Sequence, residues 1–397
     1  MRNYTPLHAA ARLGWARAMW VLVLSREANL EARTQRQSTP LHLAILGGHD
    51  TDGQRVVGML LAAGANLEAV DMDQRTPLHL AAEKGLKAVV GQLLEAGANR
   101  EAVDKDQCTP LHLAAAKGRD AVVGQLLVGP GANMEAVDKD QFTALHLAAA
   151  EGHGMVAQLL LGAGADLEAV DKNQWTPLQL AAVKGQEALV GQLLEAGANL
   201  ESVDRKQRTP LHLAAREGCA AVVGQLLKAG ANLEAVGKDQ WTPLHLAAGK
   251  GDEVVVGQLL EAGANPEALN KNQWTPLQLA AGNGHEVVVG QLLEARANLG
   301  AVDKNQWTPL LLAAAKGREA VVGQLLKAGA NVEAVVHENQ WTPLHMAANQ
   351  GYEVVVGQLL EAGANLEALS KNQWTPLHLA AGEGHEVVVE QLLEARA

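Results

Sequence analysis

Large rings and cysteines are scarce in this sequence. Aromatic residues make up 3% of its 397 residues, and Cys108 and Cys219 are its two cysteines. Two distant cysteines do not make a disulfide framework, which favours a reducing compartment. The longest apolar run near the start, Ala18–Leu24, is too short to span a bilayer and has no signal-peptide cleavage site after it. We therefore expect no membrane insertion and a cytoplasmic protein, with the nucleus as the alternative location.

Positive charge and catalytic motifs are also lacking. The chain has 32 Lys and Arg against 44 Asp and Glu, a formal net charge of −12, whereas nucleic-acid-binding domains carry a basic patch or stripe. The sequence contains no G-x-S-x-G, no G-x-x-x-x-G-K-[ST] and no H-E-x-x-H motif. These motifs mark a hydrolase nucleophile, a phosphate-binding loop and a zinc protease. We therefore predict no nucleic-acid partner, no enzymatic activity, no catalytic residues and no cofactor.

What the sequence has instead is a short motif repeated along its length. A Thr opens each copy of a T-P-L-H-like tetrapeptide, and successive copies are 33 to 37 residues apart. The twelve copies begin at Thr5, Thr39, Thr76, Thr109, Thr143, Thr176, Thr209, Thr242, Thr275, Thr308, Thr342 and Thr375. A single compact core stops growing near roughly 250–300 residues. The periodicity therefore predicts a repeat array, a single domain over residues 1–397 made of twelve units.

The unit that starts at Thr76 predicts two helices and a loop. Thr76 suits an N-cap, and Pro77 suits the first helical position, where its missing N–H removes no hydrogen bond. Gly85 and Gly97 can adopt the left-handed conformation that ends a helix, and the polar residues 99–107 suit a turn. The apolar face of the two helices is too large for one unit to bury, so neighbouring units must stack.

The 33-residue period, the T-P-L-H-L-A-A start, the later V-V-x-x-L-L pattern and the sequence A-G-A-N closely resemble the ankyrin repeat. The resemblance covers about the entire chain. It implies an all-α repeat fold, an ankyrin-repeat α-solenoid of antiparallel helix pairs with projecting β-hairpin loops. In such arrays the hairpins and the first helices form a concave groove. Twelve units at helix-packing spacing would extend over roughly 110 Å.

Two positions depart from the ankyrin pattern. Ankyrin repeats usually carry Gly two residues before the Thr, but this chain has Gln there in eleven units, from Gln37 to Gln373. A left-handed backbone at that position costs up to about 1 kcal/mol per Gln, unless a neighbour such as Asn173 or Asp106 takes the strain instead. Arg296 stands where most units have the Gly that ends the second helix. We predict a left-handed site at Arg296 as well.

Histidine recurs at the fourth position of the tetrapeptide in nine units. These residues are His8, His42, His79, His112, His146, His212, His245, His345 and His378. Units that stack about 10 Å apart cannot share a metal ion whose ligands lie about 2 Å from it. The resemblance implies hydrogen bonds within and between repeats, and Gln179, Gln278 and Leu311 replace the His in other units. We therefore predict a structural role and no metal site.

The position directly before the Thr, here called the ring position, concentrates the aromatic residues of the chain. It holds Tyr4, Phe142, Trp175, Trp241, Trp274, Trp307, Trp341 and Trp374, and in the other units Ser38, Arg75, Cys108 and Arg208. A buried core site would not accept Arg twice, so the ring position is predicted to be partly exposed. The resemblance implies that it faces the groove, beside the variable pair that follows T-P-L-H-L-A-A, such as Glu83–Lys84 or Gly249–Lys250. Trp is enriched at binding hot spots; packing, or passive copying of the unit, is the alternative explanation.

These features predict a non-catalytic protein–protein interaction module that binds a protein partner through the groove. The candidate partner-binding residues are Phe142, Trp175, Arg208, Trp241, Trp274, Trp307, Trp341 and Trp374. The alternative is a structural spacer or scaffold array, or a fragment of a larger switch or signalling protein. We expect a monomer, although exposed apolar residues of the first unit, such as Trp15 and Trp20, would offer a surface for association.

Overall fold

A computed structural model describes residues 4–25, 28–47, 51–129 and 131–396, and within these ranges the chain forms 24 α-helices and no β-strand. It divides into two compact units, Met1–Ser202 and Val203–Ala397. The helices of the first unit are α1 (Pro6–Leu13), α2 (Ala16–Leu24), α3 (Pro40–Gly47), α4 (Thr51–Ala62), α5 (Pro77–Lys84), α6 (Lys87–Glu95), α7 (Pro110–Ala116), α8 (Asp120–Leu127), α9 (Ala144–Glu151), α10 (Gly154–Gly162), α11 (Pro177–Val183) and α12 (Glu187–Glu195). The helices of the second unit are α13 (Pro210–Glu217), α14 (Ala220–Lys228), α15 (Pro243–Lys250), α16 (Glu253–Glu261), α17 (Pro276–Asn283), α18 (Glu286–Glu294), α19 (Pro309–Ala315), α20 (Glu319–Lys327), α21 (Pro343–Gln350), α22 (Glu353–Glu361), α23 (Pro376–Glu383) and α24 (Glu386–Glu394).

Each repeat therefore contributes a pair of short helices, and the pairs stack within each unit. In the first unit, α5 lies against α3 and α7, and α6 lies against α4 and α8. In the second unit, α17 lies against α15 and α19, and α18 lies against α16 and α20. With lengths from 7 to 12 residues, the helices of the described chain fall well below what a membrane span requires.

The interior between the stacked helices is made of small and branched apolar side chains. In the repeat that starts at Thr76, the fully buried apolar side chains are Leu78, Ala81, Ala82, Val90 and Leu93. Burying one Leu or Val side chain contributes about 1.5–3 kcal/mol, and one repeat alone could not cover this face. The predicted stacking of neighbouring repeats is thus confirmed.

The start and end of the first helix follow the predicted local signals. Thr76 is the N-cap of α5 with φ −78° and ψ 166°, and Pro77 occupies the first helical turn. The N–H of Thr76 donates to Nδ1 of His79 at 3.1 Å, which closes a capping box with His in the place usually taken by Glu or Gln. Gly85 ends the helix in the left-handed conformation at φ 77°. Local sequence therefore defines this helix before any packing is considered.

The segments that precede each Thr, here called hairpin loops, are tight turns rather than paired strands. Before Thr76, the N–H of Asp71 donates to the carbonyl of Arg75 at 3.1 Å, and the N–H of Gln74 donates to the carbonyl of Asp71 at 3.0 Å. Oδ1 of Asp71 accepts from the N–H groups of Asp73 at 2.9 Å and Arg75 at 3.0 Å. The expected β-hairpins are thus reduced to turns closed by a carboxylate, and no regular strand forms in the described part of the chain.

The Gln of each hairpin loop is left-handed. Its φ lies between 58° and 66° in all eleven repeats that carry it, from Gln37 to Gln373. The neighbouring Asn173 and Asp106 are not among the residues with positive φ, so the alternative that they take the strain is wrong. Arg296 has φ 62°, which confirms the predicted left-handed site at the end of α18.

Candidate functional site

The candidate partner-binding side chains at the ring position are neither core residues nor freely solvated ones, whereas Ser38 at the same position is buried. In the first unit, Phe142 and Trp175 are partly exposed. In the second unit Trp374 is 49% exposed, and the partly exposed residues are Arg208, Trp241, Trp274, Trp307 and Trp341. The predicted partial exposure is confirmed for these residues, each of which has one part of its side chain on protein and one part in water.

In several repeats the ring lies beside the His in the first turn of the first helix of its own repeat. The ring centroids of Phe142 and His146 are 5.8 Å apart, and those of Trp241 and His245 are 5.9 Å apart. Both pairs are tilted, a geometry that contributes about 0.5–1.5 kcal/mol beyond simple burial. In these repeats the ring therefore contacts the His that accepts the capping hydrogen bond from the N–H of the Thr.

The variable pair that follows T-P-L-H-L-A-A lies next to the ring position, as predicted. A Cβ placed on Gly249 would be 3.9 Å from the Trp241 ring. In the first unit, Nη1 of Arg75 lies 3.3 Å from Oε2 of Glu83. The ring position and the end of the first helix thus form one continuous surface in these repeats.

Some of the rings also connect neighbouring repeats. Nε1–H of Trp274 donates to Oδ2 of Asp303, in the next hairpin loop, at 2.9 Å. Trp307 and Trp341 instead pack against a small buried cluster formed by Leu311, Val336 and Met346. Packing therefore accounts for part of the reason why Trp stands at these positions.

Where the ring position holds Arg, a carboxylate of the same loop binds it. Oδ2 of Asp204 accepts from Nε of Arg208 at 2.8 Å and from Nη2 at 2.6 Å. Burial opposes the ionisation of Asp204, but the hydrogen bonds from the side chain and main chain of Arg208 outweigh it and hold the pKa of Asp204 below its usual value. Arg75 has the same relationship to Asp71, at 3.2 Å. The repeat pattern did not predict this role of the Asp, although its recurrence four residues before the ring position was the available signal.

The His of the tetrapeptide is a structural hydrogen-bonding residue, as predicted. Nδ1 of His146 accepts from the N–H of Thr143 at 3.2 Å, and Nε2 lies 3.0 Å from the carbonyl of Trp175 in the next repeat. Because a carbonyl only accepts, Nε2 carries the proton and the ring is neutral. Burial lowers the pKa of His146 and outweighs the opposing effect of the Trp175 carbonyl. A buried neutral imidazole with both nitrogens bonded has no valence left for a metal ion.

The remaining candidates for chemistry are the two cysteines. Burial raises the pKa of the Cys108 thiol to about 12, and it also raises the pKa of the Cys219 thiol. Neither is a thiolate at neutral pH, and the thiolate is the nucleophilic form. Within the described ranges, no group of three or more His, Cys, Asp or Glu side chains is placed to hold a metal ion.

Comparisons with known proteins agree with this architecture. A family model described as "Ankyrin repeats (3 copies)" matches residues 51–138, 122–204, 184–269, 244–335 and 333–397. None of the curated protein sequences compared with the chain matches it. The crystal structure of the human ASB11 ankyrin repeat domain is 31% identical with a TM-score of 0.52, over 56% of this chain and 99% of that domain. The ankyrin repeat domain of Bcl-3, a member of the IkappaB protein family, is 30% identical with a TM-score of 0.50, over 56% of this chain and 100% of that domain. The family match over most of the sequence, together with the stacked helix pairs, shows that this chain belongs to the ankyrin repeat family.

Proposed function

We propose that this chain is a non-catalytic module that binds a protein partner through its hairpin loops and first helices. Ankyrin repeats are generally protein–protein interaction modules. The observation that carries the proposal is the row of partly exposed aromatic rings at a position where the fold also accepts Arg75 and Arg208. A residue type that the fold does not require, repeated where it stays accessible, is the kind of feature that binding selects.

The chemistry of the surface supports this proposal. Trp side chains offer large, rigid apolar contacts and are enriched at hot spots. Beside them the variable pairs change from repeat to repeat, from Glu83–Lys84 to Gly249–Lys250. This variation would give selectivity along the surface. A surface built on stacked helices is formed before binding and loses little ordering entropy when a partner binds.

A structural spacer or scaffold array, alone or within a larger switch or signalling protein, is the second candidate. The bond from Trp274 to Asp303 favours it, because this ring already has a partner inside the protein. The packing of Trp307 and Trp341 against the buried cluster favours it as well. The two candidates predict different effects of removing the rings. A binding module loses affinity for its partner, and a spacer does not.

The experiment first captures a partner with the intact chain and then measures its affinity by calorimetry. Replacing Trp274, Trp307 and Trp341 by Ala is expected to weaken binding at least about thirtyfold, since hot-spot truncations cost roughly 2 kcal/mol or more. Far-ultraviolet circular dichroism monitors folding in the same samples. Unchanged affinity in a folded variant would contradict the proposal and favour the spacer or scaffold array.

The chain itself suggests a matched control. Trp307 follows Asp303 by four residues, the same spacing as Arg208 and Asp204. Trp307→Arg can therefore adopt the ion pair seen at 2.6 Å between Arg208 and Asp204, which removes the ring while keeping the loop closed. Weaker binding by this variant at unchanged stability separates a lost contact from a damaged fold.

The oligomeric state, location and single-domain organisation belong to the proposal as well. We propose a cytoplasmic or nuclear monomer with one twelve-repeat domain. The free thiols of Cys108 and Cys219 support the reducing compartment of this proposal. Trp15 is 60% exposed and Trp20 is 58% exposed, so self-association through the first repeat would appear as a concentration-dependent sedimentation coefficient.

A further inference from the structure

One hairpin loop lacks the side-chain acceptor that closes the others. In the loop before Thr209, Oδ1 of Asp204 accepts from the N–H groups of Lys206 at 2.8 Å and Arg208 at 2.9 Å. In the loop before Thr242 the equivalent residue is Gly237, which has no side chain to offer.

The main chain of the Gly237 loop nevertheless keeps the same shape. The N–H of Gly237 donates to the carbonyl of Trp241 at 3.0 Å, and the N–H of Gln240 donates to the carbonyl of Gly237 at 2.8 Å. Gln240 is left-handed at φ 60°, like the Gln of the other loops. The N–H groups of Asp239 and Trp241 therefore converge on the place where an Asp oxygen sits elsewhere.

Neither of these two N–H groups has an acceptor in the described chain. By contrast, the ring-position N–H is bonded to a side chain in the ten other hairpin loops whose residues are described. The acceptors are the side chains of Thr34, Asp71, Asp104, Asp138, Asp171, Asp204, Asn270, Asp303, Asn339 and Ser370. Asp239 is exposed and Trp241 is partly exposed, so both N–H groups are open to solvent and available to a ligand that can accept from them.

The charges around the Gly237 loop are also unusual for this chain. In the first unit, loop Lys residues pair with an Asp of the preceding repeat, as Lys139 does with Asp106 at 2.7 Å. Lys238 instead meets Lys206, whose carbonyl accepts the N–H of Lys238 at 2.9 Å. Neither lysine forms an ion pair in the described residues. A protein with a net charge of −12 thus places two uncompensated cations beside two open donors.

The donors and cations share one open pocket of about 420 Å³ in the second unit. Its walls include Arg205, Lys206, Arg208, Gly237, Lys238 and Trp241. Asp239 also lines the pocket, but Nζ of Lys271 lies 3.7 Å from its carboxylate and offsets its charge. Arg208 is engaged with Asp204. The pocket therefore combines a net positive charge with the partly exposed face of one ring.

We propose that this pocket binds a carboxylate of an acidic segment of a protein partner. One carboxylate oxygen takes the place of the missing Asp side chain and accepts from the N–H groups of Asp239 and Trp241. Lys206 and Lys238 supply the opposite charge, and the Trp241 ring contacts the apolar part of the acidic side chain. This inference deepens the proposed function and rests on it for the source of the carboxylate.

A carboxylate is favoured over other anions by the geometry of the loop. The two N–H groups are held as in the Asp204 loop, where one oxygen of a carboxylate accepts both. Inorganic phosphate shares the negative charge but presents a tetrahedral group. The two ligand classes are therefore compared directly in the test.

The test follows the Trp241 amide in the intact chain labelled with ¹⁵N-tryptophan. The eight Trp residues give a small set of amide signals, and Trp241→Phe assigns the one of interest. Acetylated hexaglutamate amide is added at constant ionic strength, and inorganic phosphate is added in a parallel series. We expect a saturable downfield shift of the Trp241 amide with hexaglutamate in the millimolar range and a weaker response to phosphate.

Gly237→Asp is the decisive variant, because it restores the carboxylate that Asp71, Asp104, Asp138, Asp171, Asp204 and Asp303 supply in other loops. A Cβ at this position would lie 3.4 Å from the carbonyl of Lys206 and 3.8 Å from Cγ of Arg208, which are ordinary contacts. The variant is expected to melt at a higher temperature. Its affinity for hexaglutamate, taken from the shift of the Trp241 amide, is expected to fall at least about tenfold. Gly237→Ala adds the Cβ without the charge and is expected to keep the response.

Three outcomes overturn the inference. They are an equal shift in the wild type and in Gly237→Asp, no shift in either protein, and a response to phosphate without one to hexaglutamate. The proposed function is tested separately, because Trp274→Ala, Trp307→Ala and Trp341→Ala lie on other loops and should leave the hexaglutamate shift intact. Loss of partner binding without loss of this shift, or the reverse, identifies which of the two proposals has failed.

Discussion

Nε2 of His79 donates a hydrogen bond of 2.9 Å to the main-chain carbonyl of Cys108, 29 residues away in the next repeat. The other ring nitrogen accepts from the N–H of Thr76 at 3.1 Å. One neutral imidazole therefore caps a helix and joins two repeats. Burial lowers the pKa of His79, and the Cys108 carbonyl offsets this only in part.

Acid should destabilise the chain through these residues. Burial is the main cause of a lowered pKa in His8, His42, His79, His112, His146, His212, His245 and His345. Below the unfolded pKa of about 6.5 the unfolded chain binds more protons than the folded one, so stability is full above that pH and is lost as pH falls through the folded pKa values. Each such His contributes a slope of about 1.4 kcal/mol per pH unit in this window. Urea-unfolding midpoints measured as a function of pH check this; a midpoint that stays constant below pH 6.5 would contradict it.

Replacement of His by Gln should remove the acid sensitivity while keeping the hydrogen bonds. The chain contains the precedent: Oε1 of Gln278 accepts from the N–H of Thr275 at 2.8 Å, and its Nε2 donates to the carbonyl of Trp307 at 2.7 Å. His212→Gln with His245→Gln is expected to stay within about 1 kcal/mol of the wild type at neutral pH. The slope below pH 6.5 should fall by about 1.4 kcal/mol per pH unit for each His replaced. An unchanged slope would assign the acid sensitivity to other groups.

Ala144→Pro should stabilise the protein by about 0.4–1 kcal/mol, mainly by restricting the unfolded chain. Ala144 is the first residue of α9, where the other repeats have Pro. The preceding Thr143 has φ −83° and ψ 169°, a conformation compatible with a following Pro. Chemical denaturation measures the gain, and Ala148→Pro, in the middle of the same helix, is the control that should destabilise by about 3 kcal/mol or more. An equal change in the free energy of unfolding for the two variants would contradict the placement of Ala144 at the first position of α9.

Arg296→Gly should be neutral or stabilising by up to about 1 kcal/mol, because Gly adopts a positive φ without strain. Arg296 has φ 62°, and Gly97 at the equivalent position has φ 90°. The capping bond to the helix is already the same, since the N–H of Arg296 donates to the carbonyl of Leu293 at 2.9 Å. Thermal unfolding provides the measurement. A clear drop in melting temperature would show that Arg296 makes a stabilising contact that outweighs its backbone strain.

Trp274→Phe should cost more stability than Trp307→Phe. The first change removes the N–H that bonds to Asp303 at 2.9 Å, and the loss of such a bond to a charged group costs about 1.5–3 kcal/mol. The Trp307 indole has no hydrogen-bond partner in the described chain, so its replacement changes packing only. A larger loss of unfolding free energy for Trp274→Phe supports a contribution of the bond beyond packing, and a loss no larger than that of Trp307→Phe would contradict it.

Much of the fold was predictable because its signals are local. Thr76, Pro77 and Gly85 define a helix from start to end within ten residues, and the same residues recur with the period of the repeat. The left-handed Gln was predicted only as one of two possibilities. The sequence shows that Gly is replaced there, but which neighbour takes the strain depends on the hydrogen bonds of the folded loop.

The candidate site was predictable in outline and not in detail. The two Arg residues at the ring position indicated partial exposure, which the structure confirms. They did not reveal that Asp204 holds Arg208 or that Trp274 bonds to a carboxylate in the next repeat. Binding by the ring position itself stays a prediction.

By itself, the sequence determined the repeat, its helix pairs and the family. Capping residues, the spacing of apolar residues and the period can all be read from one repeat and its copies. The tertiary structure decided which polar groups are satisfied. Gly237 looks like a neutral substitution in the sequence, and it becomes a gap only when the loop closes and leaves the N–H of Trp241 without an acceptor. The physical reason is that a hydrogen bond joins groups whose distance is set by the folded main chain and by the register of neighbouring repeats.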